Sequence, residues 1–423
     1  MWFRRDLRLG DNPALVAAAE AHGEVVPLFV VDDRLWAAAG AARRAFLARC
    51  LAELDASVGG RLVVRHGRPA EAVARMVDET EAAAVYVSAD FGPYGRRRDE
   101  AVARRVPLVA VASPYAVDPG EVRTAAGEPY RVFTPFYRAW REHGWGTPDE
   151  APTPLRWAGG LKSDGVPKPP DDLEAVLPPA GEEAANRRLD EFLAQVDDYA
   201  RHRDRLDLDT TSRLSPYLKF GCLHPRQVLA RLGRSAGAEK LRTELAWREF
   251  YADVLWHRPQ SAWMPLRPKM ASIEVEEGRQ ADERFRAWTQ GSTGFPLVDA
   301  GMRQLLAEGW IPNRVRMVAA SFLVKDLHLP WTRGAQWFMG RLVDGDLASN
   351  QHNWQWVAGT GTDPAPFFRI FNPAMQAKTH DPSGDYVRRW VPEAGTSAYP
   401  PPIVDHAAER RDALARYRAI REG

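Results

Sequence analysis

Short apolar runs alternate with amphipathic segments along the first third of the chain. The amphipathic segments, residues 41–54 and 69–80, carry apolar side chains at helical spacing. The apolar runs are rich in β-branched residues and predict buried strands at residues 25–31, 62–64, 84–87 and 108–111. This alternation predicts an α/β domain whose Rossmann-like parallel sheet is covered by helices on both faces. No Gly-x-Gly-x-x-Gly sequence follows the first strand, so the usual dinucleotide-binding fingerprint is absent.

A proline-rich stretch separates this region from the rest of the chain. Residues 148–179 contain eight prolines and three glycines, which is typical of an extended connector. After residue 181 the β pattern disappears, and four segments have the period and length of helices: residues 183–207, 242–256, 295–308 and 312–327. We therefore predict an α/β domain over residues 1–120, an interdomain linker over residues 121–185 and an all-α domain over residues 186–423.

Charge and cysteine content restrict the partners and the compartment. The chain has 57 basic and 56 acidic residues, so a nucleic-acid partner would need positive charge gathered on one face. Two cysteines are too few for an iron–sulfur cluster, which needs about four ligands, and they fit a reducing cytoplasm. No apolar run reaches the roughly 18 residues that span a membrane, and the N-terminus lacks the apolar core of a signal peptide. We expect a cytoplasmic protein.

A cluster of hydroxyl side chains precedes one predicted helix. Thr210, Thr211 and Ser212, followed by Arg213, come before a segment that begins Ser-Pro at Ser215. Hydroxyls, backbone N–H groups and a helix N-terminus can bind phosphate. Because serine and threonine also cap helices routinely, this motif alone favours the capping interpretation.

A second motif places two carboxylates on either side of a glycine. Asp344 and Asp346 flank Gly345, and Asn350 follows four residues later. Such groups can read the polar edge of a ring cofactor, bind a divalent metal, or simply form a turn. The turn is the default interpretation.

Two further patterns involve indoles. Trp354 and Trp356 are two residues apart and cannot share a helical face, so either both are core residues, or Trp354 contacts a cofactor and Trp356 stacks on a base. Glu244 and Trp247 are three residues apart and do share a face. A carboxylate beside an indole suits a pocket for a base, although most such pairs are a helix surface beside a core edge.

In combination and in this order, the motifs closely resemble the photolyase/cryptochrome family, and within it the bacterial class I enzymes that repair cyclobutane pyrimidine dimers (CPDs). The resemblance covers nearly the whole chain. It rests on residues 2–9, 211–221, 247–251, 313–317, 354–356 and 371–373. It implies an α/β domain that binds an antenna pigment, followed by a helical domain that binds FAD and DNA.

The resemblance implies FAD in a folded form within the helical domain. The positions around its diphosphate are Tyr199, Thr211, Ser212, Leu214 and Ser215. The positions lining the same cavity are Arg248, Trp310, Asn313 and Arg316. Asp344 and Asp346 match positions at the isoalloxazine ring and its partner arginine, and Asn350 matches the residue that faces flavin N5.

The implied substrate is UV-damaged DNA, with the lesion flipped into a pocket. The pocket positions are Glu244, Trp247, Asn313, Met317 and Trp356, and Arg203 and Arg314 match contacts to the DNA backbone. A dimer stacks and pairs poorly, so flipping it costs less than flipping an intact pair, an argument made for photolyases generally. The implied mechanism is electron transfer from excited, reduced, anionic FAD to the dimer, with neither a metal nor a nucleophile. We expect a monomer without an obligate protein partner.

One departure from the family concerns electron supply. Family members reduce the flavin in light through three tryptophans, of which Trp354 matches the flavin-proximal member and Trp331 the middle one. The surface member falls within residues 273–281, which contain no tryptophan or tyrosine. Either another aromatic side chain ends the chain, with Trp263, Trp288 and Trp337 as candidates, or photoreduction is slow.

The N-terminal region also departs from the family. Met1 directly precedes the run beginning at Trp2, where relatives have several more apolar residues, so we expect a shortened first strand. Residues 90–99 look like those of proteins that bind 8-hydroxy-5-deazaflavin, and Lys219 matches a contact to that pigment. The resemblance therefore favours a deazaflavin antenna, or an empty site, over methenyltetrahydrofolate. Alternatively, these charged residues solvate a loop.

Two rival functions belong to the same family. A cryptochrome photoreceptor often has a long C-terminal extension, whereas this chain stops about fifty residues after residues 371–373. A (6-4) photolyase needs histidine acid–base chemistry in its pocket. His352 lies near the flavin loop, but none of the ten histidines occupies a predicted pocket position. The predicted function is repair of cyclobutane dimers.

Overall fold

The computed structural model describes residues 1–153, 155–362 and 369–422. Pro154, one of the prolines of the predicted linker, lies outside the described residues. The chain divides into two compact units. Unit 1 comprises Met1–Leu173, Pro178–Asp197 and Ser212–Pro259, and unit 2 comprises Glu174–Leu177, Asp198–Thr211 and Gln260–Gly423. The domain boundaries at residues 120 and 185 stay a prediction, because compact units group the chain by contacts and not by fold type.

Short parallel strands and many helices make up the described residues. The strands are β1 (Trp2–Phe3), β2 (Glu24–Val25), β3 (Leu28–Asp32), β4 (Val63–Gly67), β5 (Val85–Val87), β6 (Leu108–Ala110) and β7 (Arg156–Trp157). The α-helices are α1 (Pro13–His22), α2 (Asp33–Ala38), α3 (Ala41–Ser57), α4 (Pro69–Thr80), α5 (Pro93–Ala103), α6 (Phe133–His143), α7 (Gly181–Leu193), α8 (Tyr199–His202), α9 (Ser215–Phe220), α10 (Pro225–Arg231), α11 (Ala236–His257), α12 (Arg279–Gln290), α13 (Pro296–Glu308), α14 (Asn313–Lys325), α15 (Trp331–Arg341), α16 (Leu347–Ala358), α17 (Pro373–His380), α18 (Asp385–Trp390) and α19 (His406–Glu422). Single 3-10 turns occur at Val196–Asp198, Leu206–Leu208, Pro259–Ala262 and Pro268–Ser272.

The strands of unit 1 pair in parallel in one three-stranded sheet, β1-β3-β4, and two two-stranded sheets, β2-β7 and β5-β6. Leu28 of β3 pairs with Trp2 on one side and Val63 on the other. Residues 28–31 are all buried, as expected for a parallel strand covered on both faces. Val73 and Met76 of α4 pack into the same apolar cluster as the strand residues. The α/β part of the predicted fold class is confirmed.

Local sequence explains most of the boundaries. α4 spans the predicted residues 69–80 and begins with Pro69, whose fixed φ suits the first helical turn. The strand predicted at residues 25–31 is divided into β2 and β3, because Pro27 has no N–H to donate to a ladder. The single helix predicted over residues 183–207 ends at α7. Asp197 and Asp198, which favour caps and turns over helix interiors, lie where it breaks.

The proline-rich stretch packs against unit 1. β7, within this stretch, pairs with β2. Further along, Val64 N donates to Ser163 Oγ at 2.9 Å, and Asp164 N donates to the Val64 carbonyl at 2.9 Å. Edge strands offer unpaired backbone groups of this kind, which explains the attachment. Residues 156–164 therefore lie on the sheet and do not act as an open spacer.

Two segments that carry the family resemblance meet at Gly221. Leu7 N donates to the Phe220 carbonyl at 3.2 Å, so the run after β1 packs along the end of α9. Gly221 has φ +68°, and a Cβ atom there would lie 1.9 Å from the Arg5 carbonyl oxygen. Only glycine combines this backbone conformation with so close an approach.

Every regular element after β7 in the described residues is helical, which confirms the all-α prediction for the C-terminal part. The core of unit 2 is one apolar cluster that includes Trp288, Phe322, Phe338 and Trp354. No helix in the described ranges combines the length and apolar character needed to cross a membrane.

Unit 1 contains a buried carboxyl group that should make stability depend on pH. Glu249 accepts hydrogen bonds from Ala116 N, Val117 N and Trp140 Nε1, yet burial outweighs them and raises its pKa to about 7. The unfolded chain would release this proton near pH 4.5. The folded state therefore holds a proton that the unfolded state loses in this window, and stability should fall as pH rises from about 4.5 to about 7, then level off.

The prediction is tested by comparing wild type with Glu249→Gln, which stays neutral at every pH. The difference in unfolding free energy between the two should change by roughly 3 kcal/mol across the window, and Glu142→Gln, an exposed control on α6, should show no such change. A pH-independent difference between wild type and Glu249→Gln would contradict the assignment.

Candidate functional site

An arginine–carboxylate pair is the central polar contact between α14 and the turn before α16. Arg316 donates from Nη1 to Asp344 Oδ1 (3.2 Å) and from Nη2 to Oδ2 (2.8 Å). Its Nε donates to the Ile311 carbonyl at 2.9 Å. Asp344 is buried and Arg316 is partly exposed, so a two-point, charge-assisted contact fixes the orientation of the guanidinium. The structure thus brings together two residues predicted to contact the cofactor.

A turn at Val343 and Asp344 precedes α16, and the carboxylates of Asp344 and Asp346 are both engaged. Asp346 caps α16, where its Oδ1 accepts from Ser349 N at 3.0 Å. The loop carrying Trp310 is joined to the same turn, because Val343 N donates to the Gly309 carbonyl at 2.8 Å. Trp310 itself is buried.

Asn350 and Trp354 lie four residues apart on α16 and share one face. Both are buried. Asn350 Nδ2 donates to the Ala335 carbonyl (3.0 Å) and to Gln351 Oε1 (2.8 Å), which fixes the direction of the amide. This face of α16 therefore presents an oriented amide next to an indole.

Trp354 is enclosed by aromatic rings and by α15. Its ring centroid lies 5.0 Å from that of Phe338 and 6.2 Å from that of Trp288. Gly334 allows the close packing, since a Cβ there would lie 2.2 Å from the Trp354 ring. Trp331 begins α15 one turn earlier and is buried.

Trp331 lines a cavity of about 200 Å³ in unit 2. Ile273, Glu274 and Val275, from the segment where relatives have the surface tryptophan, line the same cavity.

His328 also lines this cavity, and its Nε2 lies 2.8 Å from Glu409 and 3.4 Å from Asp412. These three form the only group in the described ranges with metal-binding spacing, but Arg416 already pairs with Asp412 at 2.9 Å. We interpret the contacts of His328 and Arg416 with Glu409 and Asp412 as polar contacts that hold α19 in place.

The two arginines predicted to contact the DNA backbone converge on one carboxylate. Arg314 Nη2 donates to Asp204 Oδ2 at 2.8 Å, and Arg203 Nε lies 3.7 Å from Asp204 Oδ1. Burial raises the pKa of Asp204, but the hydrogen bond and charge of Arg314 outweigh it and lower the pKa overall. The Arg203 guanidinium also lies 5.7 Å from the ring centroid of Tyr199, a buried residue of α8.

Three predicted pocket residues lie on α14 and α16. Asn313 is exposed at the start of α14, and its Nδ2 lies 3.6 Å from Met317 Sδ one turn later. Trp356 is half-buried, with the Arg369 guanidinium 5.0 Å from its ring centroid. Trp354, by contrast, is almost fully buried. The two indoles therefore differ in burial, although Trp356 also packs against the apolar cluster of unit 2.

In unit 1, α11 carries Glu244 and Trp247 on one face. Glu244 Oε1 lies 3.4 Å from Lys240 Nζ, and its side chain stays partly exposed. The Trp247 ring stacks on Phe133 at a centroid distance of 3.7 Å and an interplanar angle of 8°. One face of the half-buried indole is therefore already covered by a protein ring.

The remaining predicted cofactor residues of unit 1 surround α9. Leu214 is buried at the cap position of α9, where its own side chain makes no cap hydrogen bond, and its backbone N donates to Ser212 Oγ at 3.5 Å. The Ser212 carbonyl accepts from Arg188 Nε at 2.9 Å, while Ser215 begins the helix. Thr211 ends the neighbouring segment of unit 2, where it is half-buried.

Arg248 is held by backbone carbonyls in unit 1. Its Nη1 donates to the Pro114 carbonyl at 3.0 Å and its Nη2 to the Leu218 carbonyl at 3.2 Å. Tyr115 lies under the guanidinium at 4.6 Å from the ring centroid. Lys219, predicted to contact an antenna, is half-buried in the last turn of α9.

Three charged residues of the predicted antenna segment, Asp90, Arg98 and Asp99, are half-buried and form ion pairs, whereas Arg96 and Arg97 are exposed. Arg98 Nη2 lies 3.1 Å from Asp90 and 3.0 Å from Asp99, and Arg4 Nη1 lies 2.5 Å from Asp99. A Cβ at Gly95 would lie within 2.2 Å of the Asp90 carboxylate, so glycine is required beside it. The interpretation as loop-solvating charges is therefore wrong for Asp90, Arg98 and Asp99, which form an ion-pair network with Arg4.

His352 is buried, and both of its ring nitrogens are engaged. Its Nε2 lies 2.8 Å from Ser261 Oγ and its Nδ1 lies 2.7 Å from the Ala348 carbonyl. Burial lowers its pKa to about 4, so the ring stays neutral near neutral pH.

The sequence did not show which neighbours several of the predicted residues contact. Phe133 covers Trp247, Asp204 joins Arg203 to Arg314, and Phe338 and Trp288 flank Trp354. Each of these neighbours comes from a different element of the chain. No local pattern could have paired them, although the charge of Asp204 next to Arg203 was a weak hint.

Comparison with known proteins identifies the family. Residues 1–155 match a family model described as DNA photolyase, and residues 241–397 match one described as the FAD binding domain of DNA photolyase. A deoxyribodipyrimidine photo-lyase of Streptomyces griseus is 42% identical over 455 positions, covering 99% of this chain and 98% of that protein.

Solved structures agree with the sequence matches. A bacterial class III photolyase from Agrobacterium tumefaciens has a TM-score of 0.91 at 36% identity, covering 100% of this chain and 97% of that one. An archaeal photolyase from Sulfolobus tokodaii, solved with two FAD molecules, has a TM-score of 0.86 at 30% identity, covering 99% of each chain. The fold is therefore that of photolyases and cryptochromes. This chain belongs to the DNA photolyase family.

Proposed function

We propose that this chain is a light-dependent DNA-repair enzyme that uses FAD to split cyclobutane pyrimidine dimers in UV-damaged DNA. Full-length similarity to deoxyribodipyrimidine photo-lyases supports the proposal. The structural observation that carries it is the arrangement at α16, where Asn350 and Trp354 share one buried face and the Arg316–Asp344 pair lies just before the helix.

The donor set of this chain fits FAD. The edge of an isoalloxazine ring alternates N–H and C=O groups, which a carboxylate, a guanidinium and an oriented amide can match. Hydroxyls and arginine suit a diphosphate. In unit 2 we assign the flavin to Tyr199, Thr211, Trp310, Asn313, Arg316, Asp344, Asp346 and Asn350; in unit 1 we assign it to Ser212, Leu214, Ser215 and Arg248. When bound in its reduced, anionic form, FAD supplies the light-activated electron that opens the cyclobutane ring.

The residues assigned to the lesion hold and orient it. Trp247 and Trp356 replace the stacking that a flipped base loses, and Glu244 hydrogen-bonds the 5′ base of the dimer. Arg203 and Arg314 bind the backbone phosphates near the lesion, because both guanidiniums converge on one face at Asp204 and guanidinium groups make charge-assisted contacts to phosphate. Asn313 and Met317 complete the assigned pocket.

The structure offers no support for a histidine-based (6-4) mechanism at His352. Both of its ring nitrogens are already engaged, by Ser261 and by the Ala348 carbonyl. A cryptochrome-type photoreceptor remains the alternative from another functional class, since it would share the flavin chemistry without repairing DNA.

For the antenna we propose 8-hydroxy-5-deazaflavin, bound near Lys219 and residues 90–99. The ion-pair network of Asp90, Arg98 and Asp99 gives that segment a fixed shape. A structural relative was solved with two FAD molecules, so the pigment of each family member has to be measured. Absorbance of the pigment released from purified protein would distinguish deazaflavin, folate and a second FAD. We also propose that the protein is a cytoplasmic monomer.

The function is tested with two defined oligonucleotides, one carrying a thymine cyclobutane dimer and one a (6-4) product. The purified, reduced protein is incubated with each in blue light and in the dark. We expect light-dependent loss of the cyclobutane dimer alone. Repair of the (6-4) product would overturn the substrate, and no repair by a light-responsive flavoprotein would favour the photoreceptor.

We expect Glu244→Ala to lower the quantum yield of repair while leaving FAD bound, because the 5′ base loses its hydrogen-bond partner. The measurement is the number of dimers split per photon absorbed by pre-reduced enzyme. Glu183→Ala, at a highly exposed position on α7, serves as the control. An unchanged yield in Glu244→Ala would remove this residue from the mechanism.

We expect Trp356→Ala to weaken lesion binding by about 1–3 kcal/mol, the usual cost of losing one base–aromatic stack. Binding of dimer-containing DNA in the dark measures the effect. Trp390→Ala, another half-buried tryptophan of unit 2 under an arginine, is the matched control and should bind normally. If Trp356→Ala and Trp390→Ala bound dimer-containing DNA with the same affinity, Trp356 would be a packing residue and not a contact to the lesion.

A further inference from the structure

The tryptophan route predicted from the family ends abruptly in this chain. Under the proposed function, Trp354 gives an electron to photoexcited FAD, and the resulting Trp354 radical must then be reduced by another donor. Trp331 faces a cavity of about 200 Å³ whose described lining contains no other tryptophan, tyrosine or phenylalanine. Residues 273–275, which line that cavity, are Ile, Glu and Val. An electron hole that reached Trp331 would find no aromatic exit there.

A second set of rings does lead from Trp354 toward the surface of unit 2. The Trp288 ring lies 6.2 Å from Trp354 at an angle of 72°. Trp288 stacks on Phe285 at 5.8 Å and 25°, and Phe285 lies 6.3 Å from Trp337. Trp288 is fully buried, whereas Trp337 is half-buried on α15. Trp263, the third candidate from the sequence, is exposed and takes part in none of these contacts.

We propose that Trp288 and Trp337 are the electron donors that refill Trp354, with Phe285 as the bridge between them. The proposal rests on the proposed function and adds its electron supply. One electron leaves Trp354 for the flavin, one passes from Trp288 to Trp354, and one from Trp337 to Trp288. A thiol in solution then reduces the Trp337 radical and is itself oxidised, so each light-driven step consumes one external electron.

The environment of Trp288 suits a relay and not an end point. Its Nε1 donates to the Ala319 carbonyl at 3.0 Å inside the apolar core, so a radical there has no route for losing its proton to water. The hole therefore stays mobile and can move on. Trp337 is the first tryptophan of this set that is partly accessible, and a small reductant can reach it there.

The test measures flavin photoreduction under blue light with excess thiol, together with the lifetime of the tryptophan radical by transient absorption. Trp288→Phe and Trp337→Phe should each lose steady-state photoreduction and shorten the radical lifetime, because the electron returns to Trp354. Trp331→Phe and the control Trp390→Phe should behave like wild type. Trp337 is half-buried, so its variant tests the route even if Trp288→Phe folds poorly.

The outcomes separate this inference from the proposed function. Photoreduction that survives in both Trp288→Phe and Trp337→Phe, but not in Trp331→Phe, overturns the inference and restores the family route. Photoreduction that survives in Trp354→Phe overturns the role of Trp354 itself, which belongs to the proposed function. Repair by chemically pre-reduced protein and FAD content should be unchanged in Trp288→Phe and Trp337→Phe. Loss of photoreduction in both variants only together with loss of bound FAD would overturn the inference.

Discussion

Replacing Trp354 by phenylalanine should abolish light-driven reduction of bound FAD and leave repair by pre-reduced enzyme intact. A phenyl ring gives up an electron far less readily than an indole, while it preserves most of the packing. Trp354 shares its helix face with Asn350, the residue assigned to flavin N5, and it is the ring from which the aromatic contacts to Phe338 and Trp288 start. Removing its redox capacity should therefore cut every route at its origin.

The measurement follows the flavin spectrum under blue light with thiol, then dimer repair after chemical reduction in the dark. Trp356→Phe is the matched control, since it removes an indole two residues away on a different face of α16 and should keep photoreduction. Normal photoreduction in Trp354→Phe would place the electron source elsewhere. Loss of repair together with FAD content would instead indicate that the substitution disturbed the core around Gly334.

The parts of the fold that depend on residues close together in the sequence could be predicted from it. α4 has its predicted bounds because Pro69 starts it and its apolar residues repeat at helical spacing. The predicted strands exist because β-branched runs between helices favour a parallel sheet. β7 could not be predicted, since two residues in a proline-rich stretch carry no strand pattern and pair only because β2 offers a free edge.

The chemistry of the candidate site divides in the same way. Carboxylates, hydroxyls and indoles could be assigned because the family's motifs occur in order. Their partners could not, because contacts between elements decide them. The sequence could not rank Trp288 and Trp263 as candidates for the end of the electron route. Of these two, only Trp288 makes a ring contact with Trp354. Trp247 likewise has one face occupied by Phe133, a residue from another helix.

Asp344→Asn should both destabilise unit 2 and lower its FAD content. The buried carboxylate now accepts two hydrogen bonds from Arg316, and an amide can accept only one while turning an N–H group toward the guanidinium. Losing a hydrogen bond to a charged group costs about 1.5–3 kcal/mol. Because Asp344 also fixes the orientation of Arg316, two residues assigned to the flavin should fail together.

A surface pair of the same chemistry provides the control for Asp344→Asn. Asp385 pairs with Arg388 on α18, where both side chains are more than half exposed, so Asp385→Asn should leave stability almost unchanged and FAD content unaltered. Unfolding of the flavin-free proteins and the flavin absorbance that survives gel filtration measure the two effects separately. If Asp344→Asn lost stability but kept its flavin, the Arg316–Asp344 pair would be a structural contact and the flavin edge would have to be read by other groups.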